Sequence, residues 1–316
     1  MKKAFYLLIF SLMLFSCNKE KNISNEILEQ PIEAEIHRFD QEFITGNFQT
    51  LKAKYPYLLN SNIADTVWFN KRNDSLFKEV YKETQLEFSN LDQLQKDLTL
   101  LFKHIKYYYP NEKPSKVVTV LSEVDIMSRA IYADSISIIS LDTYLGKDHK
   151  FYVDFDAYTL GDFEPNRITV DLAENFASQK ITPPQDRTFL SQLIYWGKIQ
   201  YFKEMLLPEV SSNLIMNYDE KQLQWIEANE TQVWKYFIEN KYLYDNDVKL
   251  IARFIQRSPF SKFYLDLDQE SPGSVGIYIG WQIVRSYMKN NNVTLQELSV
   301  KDAKTIFEQS KYKPKK

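Results

Sequence analysis

Ser271 to Met288 reads SPGSVGIYIGWQIVRSYM and holds Gly273, Gly276 and Gly280, three of the seven glycines in a chain of 316 residues. A chain so sparing of glycine has a local reason for this cluster. The spacing Gly-x-x-Gly-x-x-x-Gly lacks the lysine of a phosphate-binding loop, and no clear strand precedes it, so a nucleotide site is poorly supported. Close packing explains it better. Pro272 and Gly273 predict a turn, Gly276 and Gly280 let the start of a helix press on a neighbour, and Trp281, Val284, Tyr287 and Met288 bury the face that follows.

Working outward, helical spacing dominates. Leu190, Ile194, Gly197 and Tyr201 share one stripe after Arg187, and Pro208 ends that run. Further helices are predicted near 220–240, 248–256 and 281–290. Toward the N-terminus, Ile32, Ile36, Phe39 and Phe43 recur at helical spacing, as do Leu91, Leu94, Leu98, Leu101 and Ile105 up to Tyr107-Tyr108-Tyr109-Pro110. Between these halves, Lys116 to Asp125 and Asp134 to Leu141 are short, β-branched and partly alternating, which predicts a small central sheet. The expected class is therefore α+β and predominantly helical, with one globular domain over 31–316: a helical part over about 31–110, then sheet and helices over about 115–310.

Composition narrows the partners. Hydrophobic residues make up 44% and charged residues 26%, and 39 Lys+Arg against 42 Asp+Glu leave no basic excess for nucleic acid. Aromatics at 15% predict a ring-rich core. Lys2 and Lys3 precede the apolar run Ala4 to Phe15, the pattern of a secretory leader. That run closes as Leu14-Phe15-Ser16-Cys17, which resembles the lipobox of bacterial lipoproteins, and Cys17 is the only cysteine. The expectation is a signal peptide over 1–16, a lipidated Cys17 carrying fatty acyl chains such as palmitate, and a polar tether over 17–30. Removal of Lys2 and Lys3 would take the formal charge from −3 to −5. Acyl chains anchor at about 0.8 kcal/mol per buried methylene, and no other segment looks transmembrane. Asn18 rather than Asp after the cysteine mildly favours outer-membrane sorting by analogy with lipoprotein rules, and both inner and outer membrane stay open. The basic end Lys311 to Lys316 is expected to be a solvated tail.

Catalytic patterns are sparse. There is no HExxH, no GxSxG elbow and no Gly-x-x-x-x-Gly-Lys-Ser/Thr loop, and His37, His104 and His149 lie far apart. No metal, cofactor or small-molecule substrate is expected. Asp266, Asp268 and Glu270 read as a solvated loop. Glu230 interrupts the stripe Leu223, Ile226, Val233, Phe237. It is either buried, needing a proton or a cation such as Lys198, or it sits with Asn229 at a solvent-facing edge.

These residues carry a resemblance. The chain resembles the gliding motility lipoprotein GldB family in Ile131 to Asp134, Ser140 to Gly146, Gly197-Lys198 with Tyr201-Phe202, Trp225 to Trp234, Ser258 to Tyr264, and Gly280 to Met288. The resemblance implies a cell-envelope lipoprotein, facing the periplasm from one of the two membranes, that works with other gliding lipoproteins and with type IX secretion. It implies no established enzymatic activity. That family is in turn similar, more distantly, to predicted zinc-dependent peptidases. On that likeness the scaffold is degenerate zincin-like (gluzincin-like), with Tyr195, Trp196, Gly197, Lys198 and Ile199 where HExxH would stand and Glu230 near the third ligand's place. Such a frame could bind a polypeptide without cutting it; an exported metal-dependent hydrolase and an envelope glycan-binding lipoprotein are the alternatives.

Overall fold

The computed structural model describes residues 24–113, 115–266 and 268–314. Cys17, and with it the leader and lipidation site, lies outside the described residues. Part of the expected tether is folded. Ser24 caps the short helix α1 (Asn25–Leu28), Ile27 is buried, and Lys103 donates to the Leu28 carbonyl, so the globular body begins before residue 31.

A series of helices follows: α2 (Phe39–Thr45), α3 (Phe48–Lys54), α4 (Asp65–Asn73), α5 (Ser75–Glu87) and the amphipathic α6 (Asp92–Tyr108). Phe39 and Phe43 share α2 as their spacing predicts. Ile36 does not join them: it lies in β1 (Ile36–His37), paired with the sheet, and Ile32 precedes that strand without helical structure. Tertiary pairing overrides the helical spacing there.

The sheet has four strands in the order β1-β2-β4-β3, with β2 (Lys116–Val120), β3 (Ala130–Ala133) and β4 (Ile136–Ser140). β1 and β4 both run parallel to β2, whereas β3 pairs antiparallel to β4 at the edge. Alternation along β2 explains its two coverings. Val117 packs with Leu98, Leu101, Phe102 and Ile105 of α6, and Val118 packs on the opposite side with Phe39, Phe43, Tyr55 and Phe77. The free edge is closed by α7 (Ile168–Lys180): Tyr132 N–H donates to Asn175 Oδ1 at 2.9 Å, and Gln179 Nε2 donates to the Tyr132 carbonyl. Side-chain amides thus stand where another strand would pair.

The second half is built on α8 (Phe189–Leu206), surrounded by α9 (Ser212–Met216), α10 (Glu220–Glu239), α11 (Val248–Phe254), α12 (Val275–Asn290), α13 (Leu295–Val300) and α14 (Ala303–Ser310). α12 begins six residues before the predicted Trp281, since Ser274 in the left-handed region (φ 59°) starts it directly after Gly273. The glycines act by closeness. A Cβ on Gly280 would lie 1.8 Å from the Leu193 carbonyl oxygen, and one on Gly197 would lie 2.3 Å from Gly280. A Cβ on Gly273 would lie 2.0 Å from the Ser258 carbonyl oxygen. No real side chain fits at those distances, so α8 and α12 touch backbone to backbone.

Candidate functional site

α8 is buried almost all round, as FLSQLIYWGKIQYFKEML predicts from its apolar residues. Four of its residues define the site. Gln192, Trp196, Gln200 and Lys203 follow one another at helical spacing along a cavity of about 470 Å³. The opposite walls come from Arg129 before β3, from α7, from α9 through Ile215 and Met216, and from Gly273, Ser274 and Ile277 at the start of α12. A second hollow of about 310 Å³ adjoins it, sharing Arg129, Asp171, Glu174 and Trp196 and continuing past Met127, Tyr195 and Ile199.

The polar side of the cavity is a charge network. Arg167 bonds Asp171 at 2.7 Å and also donates to the Leu214 carbonyl. Arg129 lies 3.3 Å from Asp171 and 3.5 Å from Asp162, while the buried Tyr144 hydroxyl donates to Asp171 at 3.0 Å. Arg257 and Asn217 both donate to Asp162. Lys203, 2% exposed, bonds Glu174 at 2.7 Å. Burial pushes the Lys203 ammonium down, opposed by Glu174. Burial pushes the Glu174 carboxyl up, but Lys203, with Arg167 and Arg129, outweighs it and leaves the carboxyl below its ordinary value. Each charge holds its neighbour in place. Two buried polar atoms on the lining residues remain without a partner, Arg167 Nε and Gln200 Oε1.

Arg129 follows a turn shaped by a buried acid two residues past the end of β4. Asp142 accepts from Ser122 N–H at 2.9 Å and Val124 N–H at 2.7 Å, holding Glu123 and Val124 in the left-handed region (φ 60° and 63°). The turn that follows delivers Arg129, and Ser140 Oγ donates to the Ser128 carbonyl at 3.0 Å just before it. Burial pushes the Asp142 carboxyl up, only partly offset by those backbone donors.

The residues singled out from sequence separate. Trp196 lines both hollows, whereas Tyr195 and Ile199 reach only the second. Lys198 is not a partner of Glu230. The 100° turn per helical residue carries it to the other side of α8, where it caps the end of α13 by donating to the Ser299 and Lys301 carbonyls at 3.3 and 2.5 Å. Of the two readings open for Glu230 the buried one holds, at 2% exposed, but the residue lies outside the cavity, eight residues or about 12 Å along α10 from the lining Gln222. Its Oε1 accepts from the Tyr312 hydroxyl at 2.8 Å, and its Oε2 has no partner. The basic end is therefore docked at Tyr312 instead of wholly solvated, with its ring edge-on to Trp234 at 5.2 Å. Gly273 lies on the cavity wall, while Gly276, Gly280 and Trp281 are packing residues, Trp281 also donating to Glu204 at 3.0 Å.

Zinc does not fit this donor set. α8 presents two amides, an indole and an ammonium to the cavity, none of them the imidazole, thiolate or carboxylate that zinc sites use. His37, His104 and His149 stay in separate elements, and among the described residues no group of three or more His, Cys, Asp or Glu is placed to hold a metal ion. Asp268 spends its carboxylate on the N–H groups of Phe263, Tyr264 and Leu265, shaping its own loop.

Fold and site together define a mostly helical α+β protein with a charged cavity walled by its most buried helix. The chain belongs to the gliding motility protein GldB family, whose sequence model matches residues 17–314. No curated protein and no solved structure matches it significantly. Membership makes it a gliding motility lipoprotein associated with the cell envelope, and no described helix is long and apolar enough to cross a membrane.

Proposed function

We propose that the protein binds a polypeptide segment of another gliding component, a second gliding lipoprotein or a type IX secretion protein, in the joined hollows beneath α8, and that it does so without cutting it. The observation that carries this reading is that the two hollows adjoin at Arg129, Asp171, Glu174 and Trp196, an arrangement that suits an extended chain laid across both. On this reading the frame is zincin-like, α8 occupies the place of the peptidase motif helix, and its polar side chains bind rather than activate water. Removal of the leader 1–16 and acylation of Cys17 anchor it facing the periplasm. Seven residue steps separate Cys17 from Ser24, about 25 Å fully extended, so the body stays against its membrane.

A photo-reactive residue replacing Met127, 88% exposed beside the second hollow, tests this in gliding cells, with the same residue at Val67 on α4 as the control. The expected result is one envelope protein crosslinked from 127 and not from 67, recovered at full length after incubation with the purified lipoprotein. No crosslink from 127 would reject the groove, and cleavage of the captured protein would reject the non-catalytic role.

A further inference from the structure

We infer that the larger cavity takes the free carboxyl terminus of a peptide chain, the preceding residues leaving over Trp196 along the second hollow; this deepens the polypeptide-binding reading and rests on it. The cavity lining carries four cations, Arg129, Arg167, Lys203 and Arg257, against three carboxylates, Asp162, Asp171 and Glu174. Both oxygens of Asp162 and both of Asp171 are already engaged by the network. The donors are in surplus. An ammonium has three N–H groups, and Glu174 is the acceptor bonded to Lys203; Arg167 Nε, on a residue 3% exposed, has none.

The start of the sixteen-residue α12 stands on the same wall through Gly273 and Ser274 and adds its positive end. The cavity therefore calls for an acceptor-rich anion. Gln200 Oε1, on a residue 5% exposed, is the complementary orphan and calls for an N–H donor nearby. A carboxylate with an amide N–H on the other side of a single Cα is the chemistry of a peptide's last residue. Ile215, Met216, Ile251, Ile255 and Ile277 supply apolar walls for its side chain, which an inorganic anion would leave unused.

The test uses the full-length lipoprotein in detergent micelles and a random-sequence hexapeptide pool prepared as free acids and as C-terminal amides, with retention read by affinity capture and mass spectrometry. Free acids should be retained about ten- to hundredfold better than amides, the range expected of hydrogen bonds to a charged group. Arg257→Gln should erase most of that preference; its side chain is 42% exposed, so the core survives the change. Gln200→Leu should weaken acids and amides alike. Equal retention of the two pools would overturn the terminal carboxylate while leaving the groove reading intact. Retention of neither would overturn both, and displacement of the acids by inorganic phosphate at matched concentration would reduce the cavity to a small-anion site.

Discussion

Lys198 shows how a single side chain trades solvation for architecture. It is 4% exposed, it caps the last carbonyls of α13, and burial pushes its ammonium down to about 8 from 10.5, with Asp302 opposing only weakly. Between those values the unfolded chain holds a proton that the folded chain has lost, so raising the pH through that window favours folding. From pH 8 to 10 the unfolding free energy should rise by about 2–3 kcal/mol relative to Lys198→Met, at 1.36 kcal/mol per pH unit. Paired urea titrations of the two proteins at pH 8, 9 and 10 check this, and parallel pH profiles would contradict it. The opposite pole is Glu230. Its stripe raised burial as one of two readings, because helical periodicity reports which side of a helix faces inward but a carboxylate there argues for an edge. Its partner Tyr312 was not legible, because the contact joins residues 82 apart and no local pattern encodes it.

At the scale of elements, the long periodic segments α6, α8 and α10 and the β-branched β2 and β4 could be read directly, since each states its own burial. The short edges could not. β1 and β3 exist through their neighbours, and α1 exists because Ile27 finds a place on the body. The glycine cluster was legible as packing, and the α8–α12 contact gives that reading its force. Gly280→Ala would place a methyl group 1.8 Å from a carbonyl oxygen, so the helices must part and the apolar contacts around Leu193 and Trp281 must loosen. The expected loss exceeds about 4 kcal/mol, the upper range for single substitutions. Gly146→Ala, where φ is 92° but no atom lies within 4 Å of the added methyl, should cost only about 1–2 kcal/mol of backbone strain. Thermal melting of both variants separates crowding from strain; similar losses would show that the helix contact can yield.

At the scale of the molecule, the site gathers Arg129, Arg167, Asp171, Lys203 and Arg257 from segments spread over more than a hundred residues of chain, which is why sequence reasoning missed it. One signal was available. Gln192, Gln200 and Lys203 are polar positions recurring at helical spacing along a mostly apolar helix whose other polar residues are Ser191, Lys198 and Glu204. The chain's far end also closes the structure, since Tyr312 supplies the only bonded partner that Glu230 has among the described residues. Tyr312→Phe should therefore cost about 1.5–3 kcal/mol, the range for a hydrogen bond to a charged group. The urea midpoint reports it, and an unchanged midpoint would show that the hydroxyl is dispensable.

Backbone contact between α8 and α12 has a further effect on anything that settles in the groove. The wall bearing Trp196 and Gln200 is clamped along its length and has no slack to take up, so a guest is chosen by outline and charge instead of by moulding its host.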